Sequence, residues 1–75
     1  MRLRVRLFHQ ARPVFEGTAA EVTLPSVEGE MTVLSQHAPI LCALVAGDVA
    51  IDERRYAIQR GIAHVAQNRV MIVAS

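Results

Sequence analysis

The sequence predicts an all-β fold, an antiparallel β-sandwich (flattened barrel) of many short strands, and three observations carry that prediction. Apolar residues alternate with polar ones at period 2, as in Leu3, Val5 and Leu7 against Arg2, Arg4 and Arg6. Turn-forming residues recur at short intervals, at Pro13, Gly17, Ser26-Val27-Glu28-Gly29, Gly47-Asp48, Gly61 and Gln67-Asn68. Between those turns there is almost no room for a helix. Strands of this length reach a stable core only by stacking two sheets face to face.

The elements follow in chain order. Leu3, Val5 and Leu7 fall on one face of a first strand and the three arginines on the other. Pro13 interrupts, since proline cannot donate to a ladder, so Val14-Phe15-Glu16-Gly17 is expected as a short edge piece. Ala20, Val22 and Leu24 alternate with Glu21 and Thr23 in a half-buried strand ending at Pro25, and Ser26 to Gly29 makes a turn. Glu30 to Leu34 is a short strand and Ser35-Gln36-His37 a polar loop, after which Pro39 biases Ala38 toward an extended backbone. The apolar run Ile40 to Val45 has the length of a buried strand or of a turn and a half of helix; Pro39 and Gly47 at its ends favour a strand, expected to be core. Gly47-Asp48 is expected as a turn. Val49 to Ile51 then runs through the charged corner Asp52 to Arg55 into Tyr56-Ala57-Ile58, a hairpin. Gly61 breaks it, Ile62 to Ala66 resumes, Gln67-Asn68 turns, and Val70 to Val73 is a last apolar strand. No linker, repeat or low-complexity segment interrupts residues 1–75, which are expected to form one domain.

Size and composition exclude several classes of function. Seventy-five residues bury a modest core, so a partner surface would help the fold. Cys42 is the only cysteine, which forbids an internal disulfide and suits a reducing compartment. No run approaches the roughly 20 apolar residues that span a bilayer, so direct membrane insertion is not expected. The alternating N-terminal stretch has neither the apolar core of a signal peptide nor a transit-peptide pattern, and no cleavage is expected there. Net charge is only +1 and all eight basic residues are Arg, without the cationic excess that phosphate-tracking domains carry.

The residues that could carry chemistry do not assemble into a site. His9, His37, His64 and Cys42 match no metal-ligand spacing, so no metal is expected. His64 reads as a side chain on a strand face, and Cys42 as a small hydrophobe rather than a nucleophile, because no base is placed beside it. An enzyme using His37 and Cys42 is therefore remote. The four glycines are too scattered for a phosphate loop. The paired acids Glu28 with Glu30 and Asp52 with Glu53 lie at turns, where solvated carboxylates are the ordinary outcome. Neither catalytic residues nor a cofactor are expected. A nucleic-acid-binding barrel using the Arg2, Arg4 and Arg6 face stays open as an alternative, against which stands the use of such charges to protect a sheet edge.

One resemblance absorbs what remains. The order Val14-Phe15-x-Gly17, Val22-x-Leu24-Pro25, Glu28-Gly29-Glu30-Met31, His37-Ala38-Pro39-Ile40-Leu41, Gly47-x-Val49-x-Ile51 and Gly61-Ile62 resembles the N-terminal domain of the epsilon subunit of F-type ATP synthases over nearly the whole chain. The acidic-Gly-Glu turn and the His-Ala-Pro stretch are its most specific parts. The resemblance implies a sandwich of two antiparallel sheets and a non-catalytic rotor subunit in the central stalk, coupling the gamma subunit to the c ring for ion-driven ATP synthesis. It further implies that Glu30 and His37 face the ring, where a carboxylate and an imidazole can form charge-assisted hydrogen bonds with its polar loops. The expected location is peripheral, on the cytoplasmic face of a bacterial inner membrane. Two departures stand out. Thr32, Ser35 and Gln36 occupy a loop region that is rich in Gly and Pro in the family, and Arg60 replaces a glycine before Gly61, so the loop is expected to differ in shape. The family's two-helix C-terminal domain is absent, so neither inhibition of ATP hydrolysis nor ATP binding is expected of this chain.

Overall fold

The computed structural model describes residues 2–75. Nine strands follow one another: β1 (Leu3–His9), β2 (Arg12–Ala19), β3 (Glu21–Ser26), β4 (Gly29–Leu34), β5 (Ile40–Leu44), β6 (Gly47–Ile51), β7 (Arg54–Ile58), β8 (Gly61–Ala66) and β9 (Arg69–Ala74). Four antiparallel hairpins turn through two residues each. In the β1–β2 and β8–β9 hairpins both turn residues, Gln10 with Ala11 and Gln67 with Asn68, have positive φ, which matches the right-handed twist of the flanking strands. In the β3–β4 hairpin the Ser26 hydroxyl donates to the Gly29 carbonyl (2.6 Å) and accepts from the Glu28 amide (3.2 Å).

The strands form one continuous hydrogen-bonded sheet in the order β2-β1-β9-β8-β5-β3-β6-β7, with β4 on the other side of β3. It folds over into two layers, β2-β1-β9-β8-β5 and β4-β3-β6-β7. The crease lies between β5 and β6, which run in the same direction along β3. Four residues of β3, Ser26 to Thr23, face seven of the partner, Leu44 to Ala50. The extra residues form a bulge at 45–47, the device by which a strand leaves one sheet and joins another. The Val45 amide donates to the Pro25 carbonyl (2.8 Å) and the Val27 amide to the Ala43 carbonyl (3.1 Å), which pins the crease. Gly47 is required there: its φ is +156°, and a Cβ would lie 2.9 Å from that of Pro25.

Alternate residues of both layers meet in one core, with Leu3, Val5, Leu7, Val65, Val70 and Ile72 from the first layer against Val22, Leu24, Val33, Val49 and Ile51 from the second. The second connection of the layers is polar. Oδ1 of Asp52 in the β6–β7 turn accepts from the amides of Ala20 (2.9 Å) and Glu21 (3.1 Å), where the chain crosses from β2 to β3, and its Oδ2 meets Arg2 at 3.4 Å. Among the described residues no buried side-chain nitrogen or oxygen lacks a partner.

Three sequence expectations need correction. The piece around Val14 is not short: β2 pairs with β1 from Arg12 to Ala19, because Pro13 sits beside a bulge on an edge strand, where its missing N–H costs no ladder bond. Gly47-Asp48 is not a turn, since both residues pair across β6–β7 with Ile58 and Ala57. The run Ile40 to Val45 contains strand β5, but it is not all core: Leu44 is buried, while Leu41 is 70% exposed and Ala43 is also exposed.

Candidate functional site

Glu30 and His37, the residues singled out in the sequence, lie at opposite ends of β4. Glu30 is its second residue and points outward with Thr32 and Leu34, while Val33 is buried and Met31 packs against the core. Four residue steps take the strand from Glu30 to Leu34, about 13 Å of extended chain. His37 lies just past Leu34, in a turn closed by donation from its amide to the Leu34 carbonyl (3.2 Å). The structure therefore does not bring the two together; Glu30 is exposed on the free edge of the second layer, and His37, beyond the far end of that strand, is half-buried.

The His37 loop is held. Gln36 has φ 65°, which with the Leu34–His37 hydrogen bond is the geometry of a type II turn with Gln36 at its left-handed position. The Gln36 amide donates to Oδ1 of Asn68 (2.5 Å), and Asn68 also accepts the Arg4 amide on its carbonyl (2.8 Å), so the loop is tied to the β8–β9 turn and to β1. Nδ1 of His37 lies 2.6 Å from the carbonyl oxygen of Ala38, so a hydrogen bond there requires the tautomer protonated at Nδ1. That tautomer leaves Nε2 as an acceptor toward solvent.

The other candidates separate. Cys42 pairs with buried Ala63 and is partly buried, whereas the neighbouring pair Leu41 and His64 points outward, so no imidazole on β8 faces the thiol. Burial, and secondarily the Glu28 carboxylate, push the Cys42 thiol above its ordinary pKa, the opposite of what a nucleophile needs. Among the described residues no three or more His, Cys, Asp or Glu side chains are grouped as a metal site would require. Among the described residues no helix is long and apolar enough to cross a membrane. The arginine face proposed for nucleic acid is partly occupied: Arg2 pairs with Asp52, and Arg6 pairs with Glu16 at 2.7 Å and stacks over Phe8 at 5.1 Å.

Sequence reasoning missed one feature of the surface. Leu41, Ile62 and Val73, at 70%, 56% and 54% exposure, stand on the outer face of the first layer. A usable signal existed: an apolar run in a strand puts apolar groups on both faces, and only one face can be core.

Comparison with known proteins agrees with this architecture. Residues 2–75 match the family described as ATP synthase, Delta/Epsilon chain, beta-sandwich domain. The chain is 40% identical over 85 residues to the chloroplastic ATP synthase epsilon chain of Chlamydomonas reinhardtii and 37% identical over 79 residues to the ATP synthase epsilon chain of Gloeothece citriformis. Each alignment covers 100% of this chain but only 60% and 57% of the relative, so the chain spans little more than half the length of the curated relatives it matches. In structure it is similar to a chain of the Euglena gracilis mitochondrial ATP synthase, OSCP/F1/c-ring in rotational state 1, with TM-score 0.84 and 28% identity over 97% of this chain and 50% of that one. A chain of the Tetrahymena thermophila mitochondrial ATP synthase central stalk and c-ring shares the fold at TM-score 0.76 and 13% identity, covering 99% of this chain and 63% of that one.

Proposed function

The chain belongs to the ATP synthase delta/epsilon chain β-sandwich family, and from that premise we propose that it is a non-catalytic central-stalk subunit of an F-type ATP synthase, coupling the gamma subunit to the c ring. The observation that carries the proposal is the match of the family's β-sandwich domain to residues 2–75. Residues 1–75 act in it as one folding unit. In this reading the Glu30 carboxylate and the His37 imidazole, at the two ends of β4, contact the polar loops of the ring. The complex sits on an energy-coupling membrane. The bacterial inner membrane is one such setting, and relatives described as chloroplastic and mitochondrial extend the same assembly to organelles.

Because the two contacts are about 13 Å apart or more along β4, they should act independently. Glu30→Ala and His37→Ala are each expected to weaken retention of the c ring in a pull-down about threefold to tenfold, and the double substitution by about the product of the two. Co-purification with gamma should persist in all three variants. Unchanged ring retention in the double variant would remove these residues from the interface, and failure of the unsubstituted chain to capture either subunit would refute the stalk assignment itself.

A further inference from the structure

The turn that carries His37 is made from residues that do not favour it. A type II turn prefers proline and then glycine at its centre, and this chain has Ser35 and Gln36 there, with Gln36 at φ 65°. A residue with a Cβ is crowded in that region, so Gln36 left to itself relaxes to negative φ and the turn opens. Opening breaks the His37–Leu34 hydrogen bond and displaces the imidazole, whose place is set by the backbone of residues 36–38. The contact of Nδ1 with the Ala38 carbonyl orients the imidazole against that backbone, not against the sandwich. A tie from outside the turn is needed to fix it.

The Asn68 side chain supplies that tie. Its Oδ1 accepts the Gln36 amide at 2.5 Å. The backbone of Asn68 is itself fixed on two sides. It lies in the two-residue turn between Ala66 and Arg69, which pair across β8–β9, and its carbonyl accepts the Arg4 amide at 2.8 Å. Because β4 belongs to the second layer and β8, β9 and β1 to the first, this hydrogen bond spans the end of the sandwich and refers the His37 turn to the first layer. The hairpin alone does not call for it. Asn68 has φ 60° in a turn whose two residues are both left-handed, a position that glycine fills as readily as asparagine. Of the residues that tolerate such a backbone, asparagine and aspartate carry a short side-chain oxygen and glycine does not.

We propose that Asn68 is a positioning residue for the c-ring contact. Through the Gln36 amide it holds the His37 turn closed, and so sets where the imidazole meets its partner, in place of the proline and glycine that the turn lacks. The inference rests on the stalk assignment for the partner that His37 meets, whereas the hydrogen bond to Gln36 stands apart from it.

The test follows the full chain by c-ring retention in a pull-down with gamma present, and by hydrogen exchange at the Gln36 amide. Asn68→Gly keeps the hairpin turn and removes the acceptor, with far-UV circular dichroism to verify the fold. It should lower c-ring retention about twofold to fivefold and speed exchange at Gln36 about fivefold or more, with gamma co-purification unchanged. Asn68→Asp, whose carboxylate accepts the same amide, should match the unsubstituted chain in both measurements. Two further comparisons separate positioning from a general loss of stability. In a His37→Ala background, Asn68→Gly should cause no additional loss of the c ring, since it acts through the imidazole. Adding Ser35→Pro and Gln36→Gly to Asn68→Gly should restore retention, because the turn then closes by its own preference. Unchanged retention in Asn68→Gly, or an equal loss in the His37→Ala background, would overturn the positioning role and leave the stalk assignment standing. Failure of the unsubstituted chain to retain the c ring while its Gln36 amide is protected would overturn the ring contact, and the positioning role with it, but not the hydrogen bond. Rapid exchange at Gln36 in the unsubstituted chain would overturn the tie itself, whatever the c ring does.

Discussion

Gln36 occupies a backbone position that its side chain disfavours. At φ 65° a residue with a Cβ is crowded, and at the third position of a type II turn glycine is preferred, with proline before it. Ser35 and Gln36 are neither, yet the turn forms, because the Leu34–His37 hydrogen bond closes it and the Asn68 side chain accepts the Gln36 amide. Gln36→Gly should therefore stabilise the protein by about 0.5–1 kcal/mol, and Ser35→Pro with Gln36→Gly by about 1–2 kcal/mol, both read as a higher urea midpoint at unchanged slope. No gain in either variant would mean that the loop is held by contacts other than these. The absence of Gly and Pro suggested a differently shaped loop. The sequence could not reveal that Asn68, more than thirty positions away, holds this turn, because a side-chain clamp between distant turns leaves no local pattern.

At the scale of elements, the crease between β5 and β6 decides the architecture. Gly47→Ala would force a Cβ against Pro25 at 2.9 Å, on a backbone that L residues rarely adopt. The expected cost is about 2–3 kcal/mol, measured by chemical denaturation. A cost below about 0.5 kcal/mol would show that the crease yields easily. The strands on either side were legible. Alternation marked Leu3 to Leu7, Val22 to Leu24 and Tyr56 to Ile58, and Gln67-Asn68 marked its hairpin, since these signals are local. The bulge at 45–47 was read as a turn because Gly47-Asp48 has turn composition, and only pairing with β3 distinguishes a strand that bends from one that reverses. The outward turn of Leu41 was hidden for a related reason: an unbroken apolar run carries no period to say which residues face the core. At the candidate site, Glu30 and His37 are proposed from resemblance alone, and their separation along β4 follows from strand direction, which proximity in sequence obscures.

At the scale of the whole molecule, both layers share one core and are joined by the creased strand and by Asp52. Neither should unfold without the other. Equilibrium urea unfolding is expected to be a single transition, with near-UV signal from Tyr56 and far-UV signal from the strands coinciding, at a slope of about 1 kcal/mol/M. Separate midpoints would show that the layers are independent units, against the single domain proposed above. The parallel pairing of β1 with β9 bears on a different matter, the order in which the protein can be made. Arg4 emerges from the ribosome long before Arg69, its neighbour in the sheet. The β1–β2 hairpin can form early, but its inner edge stays open until the last strand arrives, and such distant pairings are intrinsically slow. Until then an unpaired strand edge and an apolar face are exposed to other nascent chains. The outward arginines on β1 place repelling charge on that waiting edge at the stage when nothing else covers it.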